Sequence, residues 1–281
     1  MSAAAVAVGT FDGVHLGHRR VLEAARATGL PVRVLTFHPH PRTVVQGNLV
    51  ELVSTVERRV ELIRLLGVAE VTVIPFTLAT ASQEPEAFAA EHLATQDVVV
   101  AGGDFRFGFR RRGDLTLLEG LGHMVLAVPP LEGVSSSEIR RLVHEGDLRG
   151  AAAQLGRPFE LDGTVVPGDR RGGTLGYPTA NLALDPALLV PRYGIYAGAA
   201  HPPGAEQHRA AISIGTNPHY GGSERRIEPH LLDFEGDLYG QRLVVELWER
   251  LRDEQVFANE AELVAQIARD VERTRAAVRP A

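Results

Sequence analysis

At Arg157 the texture of this sequence changes, and that change restricts the fold more than any other feature. Upstream, apolar runs at residues 3–8, 31–37, 70–76, 97–101 and 123–128 read as buried strands. Segments with helical spacing and glycine stops separate them. Strand, helix and strand in this spacing require right-handed parallel crossovers, so residues 1–155 predict a doubly wound α/β domain. Downstream, strand-like runs at 159–166, 193–199, 209–214, 227–234 and 243–248 alternate with turns. Residues 156–281 therefore predict a small antiparallel β-barrel, ending in a helix that Asn259 and Glu262 cap. A helical stretch from 147 to 156 forms the hinge between the two parts.

Bulk properties exclude several classes of function. The chain has 281 residues, 44% hydrophobic and 23% charged, enough for two soluble cores. Its net charge of −6 argues against a nucleic-acid footprint. With no cysteine, disulfides, thiolate metal sites and cysteine catalysis are excluded. No apolar run has the length of a bilayer span, and the N-terminus lacks the pattern of a signal peptide. A cytoplasmic protein without a membrane partner is the expectation. Nothing in the sequence fixes its oligomeric state.

Four stretches of the first part carry chemistry. In Gly9-Thr10-Phe11-Asp12-Gly13-Val14-His15-Leu16-Gly17-His18, a strand runs through a glycine-punctuated turn into a helix start. Helix N-termini present unpaired N–H groups and partial positive charge, so this one suits a phosphate, with His15 and His18 reaching the same anion. Pro39-His40-Pro41 stiffens a loop at the carboxyl end of the second strand, the edge where open α/β sheets bind ligands. Gly102 to Asp114 combines glycines, Phe105, Phe107 and three consecutive arginines around Asp104. Its rings either flank a planar heterocycle or tuck into the core. Ser135-Ser136-Ser137-Glu138-Ile139-Arg140 opens another helix, whose hydroxyls and Arg140 suit a triphosphate, although Ser135 with Glu138 also reads as a capping box.

In the second part, Gly168-Asp169-Arg170-Arg171-Gly172-Gly173 leads into Pro178-Thr179-Ala180-Asn181, a flexible flap followed by a tight turn. Ile214-Gly215-Thr216-Asn217-Pro218 and Ile227-Glu228-Pro229-His230-Leu231-Leu232-Asp233-Phe234 follow. Pro229 cannot donate within a ladder, so it predicts a sheet edge or a bulge.

Taken together, these motifs resemble the bacterial bifunctional riboflavin kinase/FMN adenylyltransferases, or FAD synthetases, in order and over nearly the whole chain. The resemblance implies a Rossmann-like nucleotidylyltransferase domain followed by a riboflavin kinase barrel. It implies phosphorylation of riboflavin to FMN, then adenylyl transfer from ATP to FMN, giving FAD and pyrophosphate. By the same resemblance, His15, His18 and Arg140 stabilise the transferring phosphates. Gly9, Phe11, Gly17, Ser136 and Ser137 border ATP, and Asp12, Pro39, His40, Pro41, Asp104, Phe105 and Phe107 border the flavin. In the barrel, Gly168, Arg170, Arg171, Gly172, Thr179 and Asn181 bind ATP. Thr179 and Asn181 also hold Mg²⁺, Glu228 is the base on the ribityl hydroxyl, and Arg252 meets flavin. Three departures stand out: Gly173 where a basic residue is usual, Pro229 in the base-bearing strand, and a short segment before the first strand. The rival readings are a nucleotidylyltransferase with another acceptor, a chain with only one active half, and a non-catalytic flavin-binding module.

Overall fold

The computed structural model describes residues 3–94, 96–168, 171–216 and 225–280, without the Arg171 side chain. The chain divides into two compact units, Met1–Ser136 and Ser137–Ala281.

The first unit is built on five strands: β1 (Ala5–Val8), β2 (Val32–His38), β3 (Glu70–Pro75), β4 (Val98–Gly102) and β5 (Met124–Val128). They pair in the order β3-β2-β1-β4-β5, all parallel. The helices are α1 (Leu16–Ala27), α2 (Pro41–Gln46), α3 (Val56–Leu65), α4 (Leu78–Ala81), α5 (Pro85–His92) and α6 (Leu115–Gly120). All four residues of β1 are buried, whereas the edge strands β3 and β5 keep exposed positions.

Strand periodicity of two sorts the core into two layers. Val6 and Val8 join Leu35, Phe37, Val99 and Ala101 on one face, covered by Phe88 and Ala89 of α5 and Leu115 and Leu118 of α6. Ala5 and Ala7 join Val34 and Val100 on the other, covered by Val21, Leu22 and Ala25 of α1 and Leu62 and Ile63 of α3. Each such side chain contributes about 1.5–3 kcal/mol on full burial. A sheet apolar on both faces is what the continuous valine-rich runs required. The expected doubly wound sheet is present.

The second unit begins with α7 (Ser136–Glu145), apart from its first residue, and α8 (Leu148–Leu155). Asp147 caps α8 by accepting the Gly150 N–H at 2.8 Å, and Gly156 ends it in the left-handed region. Six strands follow: β6 (Phe159–Val166), β7 (Asn181–Leu184), β8 (Gly194–His201), β9 (His208–Thr216), β10 (Arg225–Leu231) and β11 (Arg242–Arg252). Their order is β10-β9-β8-β11-β6-β7, antiparallel throughout. A short helix, α9 (Arg171–Thr174), precedes β7, and α10 (Glu260–Ala276) lies against β8 and β9. Asn259 caps α10 by accepting the Glu262 N–H at 2.9 Å, as expected.

The two end strands approach each other and nearly close the barrel. The Ala180 N–H donates to the Pro229 carbonyl at 2.9 Å, and His230 Nδ1 lies 2.7 Å from the Pro178 carbonyl. β10 is an end strand of the sheet, which is where a proline is tolerated. β7 escapes the sequence reading because its four residues, Asn-Leu-Ala-Leu, are too short and too weakly β-forming to stand out.

Candidate active sites

Both candidate sites are assembled at strand ends, one within each unit. In the first unit, the loop after β1 meets the segments that follow β2 and β4 at the carboxyl edge of the sheet. β1 and β4 are the central neighbours between which the chain reverses direction across the sheet, the usual ligand crevice of this topology.

The β1 loop is tightly specified. Phe11 and Val14 both adopt positive φ, 48° and 43°, which costs a β-branched residue most. Both are buried, and neighbouring contacts hold them in place. The Asp12 carboxylate accepts the Val53 N–H at 2.9 Å and the Ser54 N–H at 3.3 Å. The Gly13 N–H donates to Ser54 Oγ at 3.1 Å. Ser136 Oγ donates to the Asp12 carbonyl at 3.1 Å, bringing together two motifs 124 residues apart. Asp12 therefore faces inward as an organiser of the loop.

His15 caps α1. Its Nδ1 accepts the His18 N–H at 3.3 Å, which leaves the proton of the neutral ring on Nε2 as a donor. The His15 and His18 rings stack with centroids 3.6 Å apart, and Phe11 packs 5.2 Å from His18. Burial, then the neighbouring His15 and Arg59, push the His18 imidazole well below the usual histidine range, so it is neutral at pH 7. His18 Nδ1 is buried without a hydrogen-bond partner. A Cβ on Gly17 would sit 3.1 Å from His15 Cε1, so the ring lies directly across that glycine.

The remaining sequence-predicted residues of this unit divide into two groups. Pro39, His40 and Pro41 follow β2. Pro41 opens α2, and His40 caps it by accepting the Arg42 N–H at 3.2 Å. Asp104 is exposed just beyond β4. Phe107, by contrast, is buried in the core beside Phe88 at 5.5 Å, with Phe105 stacked on it at 5.5 Å. Of the two readings of these rings, Phe107 takes the core one. Gly108 and Gly113 pack against Pro85, where a Cβ would come within 2.6 and 2.8 Å. Ser137 and Arg140 stand on α7, in the residues grouped with the second unit.

Ser54-Thr55-Val56-Glu57 has the pattern of a capping box with Ser54 as cap, but the structure puts Thr55 there, accepting the Arg58 N–H at 3.2 Å, while Ser54 Oγ accepts the Gly13 N–H. Sequence reasoning also missed Arg59, which is 1% exposed in α3. Its spacing with Leu62 and Ile63 on the buried face was the available signal.

In the second unit, the turn from Pro178 to Asn181 is fastened to β10 by the two contacts described above. Tyr177 meets the His230 ring edge-on at 5.5 Å. Ile227, Pro229 and Leu231 are buried, so Glu228 and His230 project to the opposite face, the one the turn covers. Glu228 Oε1 lies 4.0 Å from Arg226 Nη1. A Cβ on Gly168 would fall 2.1 Å from Asn181 Nδ2, and one on Gly172 would fall 3.2 Å from Thr179 Oγ1. Gly168 thus packs against the Asn181 amide, and Gly172 against the Tyr177 carbonyl and the Thr179 hydroxyl, the two side chains offering neutral oxygen donors. Among the described residues there is no group of three or more His, Cys, Asp or Glu suited to a metal. The donor set therefore fits a hard cation that takes most of its ligands from phosphates and water.

Arg170, the Arg171 side chain and the loop at 217–224 lie outside the described residues. Arg252 is engaged internally: its guanidinium holds the buried Asp270 of α10 at 2.8 and 2.9 Å and lies over Phe257 at 5.8 Å.

Comparison with known proteins agrees with this geometry. The FAD synthetase family model matches residues 1–138, and the riboflavin kinase model matches residues 155–278. A bifunctional riboflavin kinase/FMN adenylyltransferase of Listeria monocytogenes is 35% identical, covering 96% of this chain and 91% of that protein. The protein of that name from Escherichia coli (strain K12) is 36% identical over 94% and 89%. A solved structure described as a macrolide-efflux protein from Streptococcus pneumoniae superposes with a TM-score of 0.85 and 32% identity, covering 98% and 95%. That description stands apart from the other findings. Among the described residues, no helix is long and apolar enough to cross a membrane.

Proposed function

Because this chain belongs to the family of bifunctional riboflavin kinase/FMN adenylyltransferases, we propose that each of its two reactions runs at its own strand-end site. The chain phosphorylates riboflavin to FMN with ATP, then adenylylates FMN to FAD with release of pyrophosphate. We assign adenylyl transfer to residues 1–155 and phosphorylation to residues 156–281, with a cytoplasmic location. The observation that carries the adenylylation site is the His15–His18 pair stacked at a helix start.

In adenylyl transfer, an FMN phosphate oxygen attacks the α-phosphorus of ATP, and the bond to the pyrophosphate oxygen breaks. No protein nucleophile is needed. The site has only to align the phosphates and stabilise the charge that develops on them. His15 donates from Nε2, and His18 adds a neutral imidazole. Ser136, Ser137 and Arg140 grip the β- and γ-phosphates, and Gly9, Phe11 and Gly17 shape the nucleotide's bed. The loops at Pro39–Pro41 and Asp104 border the flavin.

In phosphorylation, Glu228 accepts the ribityl hydroxyl proton while that oxygen attacks the γ-phosphorus of ATP, and the bond to the bridging β-phosphate oxygen breaks to release ADP. Thr179 and Asn181 would hold Mg²⁺, which when bound would neutralise phosphate charge.

The test is a pair of substitutions assayed by chromatography of flavins. His18→Ala abolishes FAD formation from FMN and spares FMN formation from riboflavin. Glu228→Ala does the reverse when FMN is supplied. Loss of both activities in either folded variant refutes the assignment of two sites.

A further inference from the structure

Arg59 is a buried charge that the reaction scheme leaves without a task. It is the largest of the fully buried side chains among the described residues, on the same α3 face as Leu62 and Ile63. An aliphatic residue there would complete the apolar face without the cost of taking a guanidinium out of water. Stability alone therefore does not account for it.

Its contacts share one direction. Nη1 donates to the Phe37 carbonyl at 3.1 Å and reaches Thr36 Oγ1 at 3.5 Å, both near the end of β2. The Thr36 hydroxyl in turn donates to the Thr10 carbonyl at 2.9 Å. Nη2 stands 3.7 Å from Asp12 Oδ1, in the loop that leads to His15. The guanidinium thus lies beneath the two segments between which ATP and FMN would sit.

We propose that Arg59 is the positioning residue of the adenylylation site, clamping the Thr10–Asp12 loop to the end of β2 so that His15 and His18 are held in register with the flavin side. The proposal rests on the assignment of adenylyl transfer to those histidines.

Arg59 also adds to the depression of the His18 imidazole, which burial lowers most and His15 next. Facing His18 are His15, stacked on it from the same loop, the Phe11 ring, and Arg59 from α3. Asp12 and Glu57 face Arg59 and offset part of its charge. Burial and the stacked His15 keep His18 neutral through the physiological range, and the cation beneath them adds to that effect.

The experiment compares Arg59→Met and Arg59→Lys with the parent protein. It measures FAD formation from FMN and ATP, with riboflavin kinase activity of the same preparation as a control. Arg59→Met lowers kcat for FAD formation about 100-fold, the loss expected from a small misplacement of phosphate-binding groups, with a smaller change in KM for ATP. Arg59→Lys, which keeps the charge and one donor, restores most of the rate. Kinase activity stays within about twofold, since the second site is built separately.

A folded Met variant with the parental rate overturns the proposal. If the Met variant does not fold, Arg59→Gln decides: a loss of kcat with little change in KM for ATP supports the clamp, and a parental kcat overturns it. If His18→Ala leaves FAD formation intact, the site assignment has failed. If His18→Ala abolishes it but Arg59→Met is indifferent, only the role of Arg59 has failed.

Discussion

Gly17→Ala separates stability from chemistry at a single methyl group. Gly17 is the second residue of α1 and has ordinary helical geometry, so alanine is compatible with the backbone. Glycine to alanine inside a helix gains about 0.5–1 kcal/mol. The new Cβ, however, would stand 3.1 Å from His15 Cε1 and 3.2 Å from Nδ1. The ring must move by a few tenths of an ångström, and it has little freedom: His18 stacks on it at 3.6 Å and its Nδ1 caps the helix at 3.3 Å. Weakening that cap costs about 1 kcal/mol at most, which roughly cancels the helix gain. Folding stability is therefore nearly unchanged, and the melting temperature stays within about 4 °C. Catalysis is not protected in the same way. Losing an oxyanion-type donor altogether costs about 100- to 1,000-fold, and a displacement well below 1 Å costs about 10-fold. The assay is FAD formation from FMN and ATP, with FMN formation from riboflavin and thermal melting measured on the same sample. Full FAD-forming activity in Gly17→Ala, or equal loss of both activities, refutes the reasoning that His15 is held across Gly17 to meet a phosphate.

Three further outcomes follow from the second unit. Burial pushes the Glu246 carboxyl up, but hydrogen bonds from His201, Arg279 and Trp248 outweigh this and hold it at about 2. A depressed carboxyl stabilises fully above its unfolded value and loses that contribution as pH falls toward the folded one. Arg279→Ala therefore shifts acid unfolding to higher pH, read by fluorescence of Trp248, the single tryptophan of the chain, whose indole N–H bonds Glu246. An unchanged acid midpoint contradicts the assigned partner. Arg252→Ala leaves the buried Asp270 without its charged partner, with only Gln266 donating to it, and destabilises the second unit by about 3 kcal/mol, seen as a lower melting temperature. An unchanged melt with a raised KM for riboflavin would instead put Arg252 on the flavin. Finally, Mg²⁺ titrated alone gives no binding heat in calorimetry, whereas Mg²⁺ with ATP does, because Thr179 and Asn181 supply only two neutral oxygens. Binding of the bare ion would contradict that donor set.

Motif positions were legible in the sequence to within a residue or two, because strand, turn and helix start are each written in local chemistry. The glycine-punctuated loop after β1, the Pro39–Pro41 turn and the α10 cap all stand where their residues announce them. The Ser54 cap does not, because a serine that could cap α3 is drawn instead to Gly13, 41 residues away in sequence. No local rule registers that competitor. The same holds for Arg252, whose partner Asp270 belongs to another element. Phe107 likewise has a neighbour, Phe88, that only the folded sheet supplies.

Sequence alone determined the two architectures, the order of the motifs and the family, since periodicity and turn residues act over a few positions. Tertiary structure alone decided which groups share an environment. It set Arg59 beside the loop at Asp12, Ser136 against the Asp12 carbonyl, and the Pro178–Asn181 turn on the Glu228 face of β10. The physical reason is that burial and charge proximity depend on packing across long sequence separations. An arginine on a helix reads as solvated until the opposing sheet encloses it, and then it bonds the end of β2 and faces Asp12.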